Sequence, residues 1–85
     1  MMVVFEVFLA PGADPETLLT EETKRSTKAQ VMTVEDARQV GFAGLPDYGD
    51  KVVRLIAVAK RDAPWIQRAL ETNDAAGRFS VNDVD

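Results

Sequence analysis

Four apolar runs, separated by polar and turn-rich stretches, set the pattern of this chain. Val3 to Ala10 (VVFEVFLA) is β-branched and aromatic and stops at Pro11-Gly12, as a strand closed by a turn does. It is apolar on both alternating faces, Val3, Phe5, Val7 and Leu9 on one and Val4, Phe8 and Ala10 around Glu6 on the other, which predicts a central strand. Lys51 to Lys60 (KVVRLIAVAK) has the same double-sided character and predicts a second central strand. Ala29 to Thr33 reads as a short edge strand, and Phe79, Val81 and Asp83 alternate with Ser80, Asn82 and Val84 as in a final edge strand.

Between these runs the spacing turns helical. Asp62 is placed to cap a helix whose first turn holds Ala63 and Pro64 and whose apolar stripe is Trp65, Ile66, Ala69 and Leu70; Asn73 and Gly77 mark its end and a turn. On this pattern Trp65 belongs to the core. Asp14-Pro15-Glu16 is a helix-start signal ahead of Leu18 and Leu19. Residues 20–30 leave two readings open, a solvated helical extension with Glu21 pairing Lys24 and Arg25, or a mobile loop. Thr33 and Asp36 have capping-box spacing before VEDARQVGF, a helix kept short by Gly41, Gly44 and Pro46. In the turn-rich stretch 41–50, Phe42, Leu45 and Tyr48 are the side chains available to pin the loop to the domain.

The element order is β, α, weak β, short α, β, α, β. With the short helix taken as an insertion, this is a two-layer ferredoxin-like (βαββαβ) α+β sandwich, its extra helix and loop inserted before the third strand. Strands one and three are central in that plan, and they are the two runs that are apolar on both faces. A competing α/β arrangement makes 33–43 the first crossover helix and 14–30 the insertion. All 85 residues are read as one small α+β domain, since two independent cores do not fit in that length.

Composition narrows the chemistry. The chain has no cysteine and no histidine, which removes disulfides, thiolate nucleophiles, Cys/His zinc sites and histidine acid–base catalysis. No catalytic residue and no cofactor is assigned. A metal site would have to be built from carboxylates for a hard cation, and no metal ligand is assigned either. A net charge of −4 and a pI near 4.7 disfavour binding to a phosphate backbone. Glu6 interrupts the apolar N-terminal run, which lacks a basic leader, so neither a signal peptide nor a membrane span is expected, and the chain is read as cytoplasmic.

Two groups of residues carry the functional expectations. If helices cover Val3, Phe5, Val7 and Leu9, the opposite sheet face would present Val4, Phe8, Ile56 and Val58 with Glu6 and Arg54 as a possible ion pair. An apolar face of that size calls for a second copy of the chain or another protein. The leading reading is therefore a non-enzymatic interaction or regulatory module, homodimeric through that open face. The second group, Asp47, Tyr48, Asp50 and Lys51 in the 41–51 loop, holds the only dense set of proton-transfer residue types and supports an alternative, a small ligand-binding domain or enzyme. A third reading, an acidic antagonist imitating nucleic acid, requires Glu71, Asp74, Asp83 and Asp85 to form one ridge.

Overall fold

The computed structural model describes residues 1–84, a four-stranded antiparallel sheet with three helices. In chain order these are β1 (Met2–Leu9), α1 (Glu21–Thr27), β2 (Gln30–Thr33), α2 (Val34–Gln39), β3 (Val53–Ala59), α3 (Ala63–Glu71) and β4 (Ala76–Val84). The strands lie in the order β2-β3-β1-β4, so the two runs that are apolar on both faces hold the two central positions. None of the helices in the described residues is long and apolar enough to cross a membrane.

Both faces of the sheet are covered by this chain itself. On the first, Val3, Phe5 and Val7 pack with Ile56, Val58, Ile66, Leu70 and the leucine pair Leu18-Leu19. On the second, Val4, Leu55 and Ala57 pack under Ala37 of α2, with Met32, Phe42 and Leu45 closing the margin. The segment between β2 and β3 is thus a lid on the second face, and Ala37 is its buried contact.

Register explains where the expected face assignment fails. β1 pairs β3 with Val3 opposite Val58, Phe5 opposite Ile56 and Val7 opposite Arg54, so each odd-numbered residue of β1 meets an even-numbered residue of β3. Directly opposed residues share a face. Ile56 and Val58 therefore belong with Phe5 in the helix-covered core, at 0% and 1% exposure, and do not join Val4 and Phe8. The open apolar face predicted from the two strands does not form. Alternation along a single strand defines two faces but leaves the relative phase of two strands undetermined.

Within residues 20–30, Glu21–Thr27 resolves as helix. Asp14 accepts a hydrogen bond from the Glu16 amide and caps only a single 3₁₀ turn at Pro15–Thr17. A fresh start follows at Thr20, whose hydroxyl accepts from the Thr23 amide at 3.1 Å, and Lys24 pairs Glu21 at 2.9 Å. The break between the two turns buries Leu18 and Leu19, and Asn73 braces it by donating to the carbonyls of Thr17 and Leu18. Thr33 caps α2 where the spacing places the cap, its hydroxyl accepting from the Asp36 amide.

Three local expectations are overturned. Asp62 makes no capping hydrogen bond to α3 and lies 3.7 Å from Arg61. Trp65 is 61% exposed and stacks beneath the Arg68 guanidinium at 5.6 Å, because Ile66 and Leu70 already fill the core side of α3. Gly77 lies within β4, beside the register shift between Phe8 and Leu9. A Cβ on Gly77 would stand 3.1 Å from the Phe8 carbonyl oxygen and 3.3 Å from the Ala10 amide nitrogen, both backbone atoms. Gly77→Ala is expected to lower stability by about 1–3 kcal/mol, as overpacking does. Urea unfolding checks this, and an unchanged midpoint would show that the bulge relaxes freely.

Candidate functional site

β1 and β4 position the site. On the second sheet face Val4 lies opposite Asn82, Glu6 opposite Ser80 and Phe8 opposite Arg78. The lid does not reach across these rows completely. Between its Gly41–Pro46 segment and β4 runs a groove of about 480 Å³, with Val4 and Leu55 as floor, Phe42 and Leu45 as one wall, and Asn82 and Val84 as the other. Glu6 and Asp83 are its ionisable groups.

Glu6 is held by two hydroxyl groups. Tyr48 donates a short hydrogen bond to one carboxylate oxygen, and Ser80 lies 3.4 Å from the other. Desolvation, reinforced by the Glu6 carboxylate, pushes the Tyr48 phenol up to about 12. A phenol with that value stays protonated at neutral pH and acts as a fixed donor, a poor choice for general acid–base work there. Tyr48 is the only tyrosine in the chain, so its titration is visible directly.

That titration yields a prediction with a defined sign. The folded state holds the phenolic proton more tightly than the unfolded chain, whose value is about 10. The contribution to stability is therefore complete below pH 10 and is lost as pH rises from 10 towards 12. Tyrosinate absorbance is expected to show a native midpoint near 12 and a denatured one near 10. The stability difference between wild type and Tyr48→Phe should shrink over the same window. Equal native and denatured midpoints would contradict the Glu6 contact.

Next to Glu6, Phe8 is half-buried in a cage of unlike groups. The Tyr48 ring meets it edge-on at 5.7 Å, the Arg78 guanidinium lies 4.3 Å from its centroid, and the Lys51 ammonium 5.7 Å. The loop candidates thus divide. Tyr48 comes to Glu6 and Phe8 and Lys51 to Phe8 alone, whereas Asp47 accepts from the Gly49 amide at 2.9 Å within its own turn, and Asp50 is exposed. They form no convergent proton-transfer cluster.

The predicted interface set divides as well. Val4, Glu6 and Phe8 line the second face, whereas Arg54, Ile56 and Val58 lie on the first. The expected Glu6–Arg54 ion pair is excluded by the sheet standing between them. Arg54 instead donates to the Val53 carbonyl and lines a cavity of about 290 Å³ with Lys24, Thr33 and Asp36. Sequence reading missed Arg78, Ser80 and Asn82, because only the β1–β4 register places them beside Phe8, Glu6 and Val4. Phe42 and Leu45 were legible as loop anchors, though not as the wall of a groove.

The acidic residues do not gather. Asp74 precedes β4 and Asp83 lies near its far end beside Lys60, with the strand rising about 3.4 Å per residue between them. Asp85 lies outside the described residues. Among the described residues no group of three or more carboxylates is placed to hold a metal ion. No family model, curated protein or solved structure gives a significant match to this chain.

Proposed function

We propose that this chain is a non-enzymatic protein-interaction module of the ferredoxin-like plan, which takes a partner strand along β4 and over the adjoining groove. The plan is supported by the strand order, which from the β4 edge runs β4-β1-β3-β2, and by helices α1 and α3 following the two central strands. The α2 lid and its loop are then the insertion before the third strand.

The observation that carries the binding role is the β4 edge. It is nine residues long, contains no proline, and keeps Val81 43% exposed beside half-buried Phe79. Such an edge offers a row of backbone donors and acceptors to another strand, and between its protective features, the register shift and Arg78 at one end and Asp83 at the other, lies the uncharged run Phe79–Asn82. At the other edge β2 has four residues. A non-enzymatic reading is favoured by the fixed Tyr48–Glu6 pair, whose groups hold each other in place.

The test is affinity capture from lysate by the immobilised chain, comparing wild type with Val81→Lys. The result expected is a polypeptide retained by the wild type and lost by the variant. Equal retention by both would remove β4 from the binding role. The groove supports a second reading, a small-ligand site, because Phe42 and Leu45 form an apolar wall beside the oriented Glu6 carboxylate. Under that reading Leu45→Glu abolishes binding and Val81→Lys has no effect.

A further inference from the structure

Resting on that reading, we infer that the partner strand is β4 of a second copy, paired antiparallel about a two-fold axis through Ser80. Symmetry limits the registers open to such a pair. In an antiparallel pair opposed side chains share a face. A two-fold axis perpendicular to the sheet keeps both helix layers on the same side. Within Arg78–Val84, on one side of the β1–β4 register shift, residues of equal parity must therefore face one another, and the axis passes through a residue.

Three axes then leave most of β4 paired, at Phe79, Ser80 or Val81. With the axis at Val81, Phe79 meets Asp83 of the second copy, which sets a carboxylate against an aromatic ring. The axis at Phe79 brings Val81 opposite Gly77, which has no side chain to cover it, and leaves Asp83 and Val84 unpaired. With the axis at Ser80, Phe79 meets Val81 of the second copy and Val81 meets its Phe79. The exposed half of Val81 is then covered by an aromatic residue already packed at 6.1 Å from Phe5, and the two cores join across the seam. On the other face Arg78 meets Asn82, so no like charges are opposed within the strands.

Charge supports the antiparallel pairing itself. It brings the acidic turn at Asp74 and the C-terminal end of α3 at Glu71 towards the end where the second copy carries Lys60 and Arg61 beside its Asp83. These two cations are exposed and sit only loosely on their own chain, Lys60 at 3.9 Å from Asp83 and Arg61 at 3.7 Å from Asp62. The symmetry makes this complement twice. Arg78, which reaches over Phe8 in its own chain, also stands opposite Asn82 at the rim of the second copy's groove. That places a cation near the groove that holds the Glu6 carboxylate.

The absence of cysteine allows the register to be read chemically. Cysteine introduced at Ser80 would face its own copy across the axis, within reach of a disulfide or a short bismaleimide. The experiment is sedimentation equilibrium of the wild type over a wide concentration range, together with oxidation of Ser80→Cys, Asn82→Cys and Asp50→Cys, each verified as folded by circular dichroism. Expected are a mass that doubles with concentration, a cross-linked dimer at Ser80→Cys well above the two controls, and at least tenfold weaker association for Val81→Lys. A monomer throughout overturns the inference. So does a dimer that cross-links best through Asn82→Cys or equally through Asp50→Cys. If the chain is monomeric yet Val81→Lys still abolishes capture from lysate, only the identity of the partner is wrong; if Val81 matters in neither experiment, the edge-binding reading fails with it.

Discussion

Ile56→Glu is expected to leave the chain unfolded at room temperature. Ile56 is fully buried at the centre of the sheet, opposite Phe5 on β1 and Val31 on β2, within the cluster closed by Ile66 and Leu70. Glutamate there removes an aliphatic side chain whose burial is worth about 1.5–3 kcal/mol. It also places a carboxylate among apolar atoms, where an unpaired charge costs several kcal/mol or neutralises by taking up a proton. A chain of this length has about 4–13 kcal/mol of stability in all. Far-ultraviolet circular dichroism and amide dispersion in NMR measure the outcome. From the sequence alone the same substitution would be read as a probe of association, because that reading sets Ile56 on the face of Phe8. The register turns it into a folding probe, and a well-folded Ile56→Glu protein would mean that the β1–β3 pairing is wrong.

Ala37→Asp is expected to have the second-largest effect, and a differently distributed one. Ala37 is the fully buried contact of α2 with Leu55, Ala57 and Val4. The close seat of a methyl group leaves no room for a carboxylate, and a six-residue helix has too few intrahelical hydrogen bonds to persist once detached. The expected cost is about 3–5 kcal/mol, the range for an uncompensated buried charge. Hydrogen exchange should show the loss concentrated in α2 and residues 40–52, with β1 and β3 amides protected by comparison and with dye-detectable apolar surface where Val4 and Leu55 emerge. Uniform loss of protection across the sheet would instead show that lid and sheet unfold as one unit.

These two substitutions also mark how much the sequence reveals. The two central strands were legible because Val3–Leu9 and Val53–Ala59 are apolar on both sides, and that property depends on each strand alone. The cap at Thr33 and the edge character of β4 were legible for the same local reason. Pairing is a different quantity. Whether Ile56 joins Phe5 or Phe8 depends on a one-residue choice of register, which alternation within either strand leaves undetermined. The cover on the second face was hidden similarly, since a six-residue helix with one buried alanine and a glycine-rich loop has no long apolar stripe. Asp62 and Trp65 failed as predictions because the cap and the stripe were each plausible by spacing, while packing was already satisfied by Ile66 and Leu70. At the site, Tyr48 and Lys51 could be named from the loop, but the meeting of Tyr48 with Glu6, and of both with Phe8, is a long-range contact.

The place of β1 between β3 and β4 has a consequence for how this chain folds during synthesis. Its first strand is made before either neighbour, and the partners that flank it emerge only after Val53 and after Ala76. A nascent chain therefore carries an apolar strand that waits, with both hydrogen-bonding edges open, for most of the sequence to leave the ribosome. Local turns can form early. The sheet cannot close until its last strand arrives, so vectorial synthesis is expected to produce one late cooperative event, and truncation before β4 should yield a chain that chaperones retain.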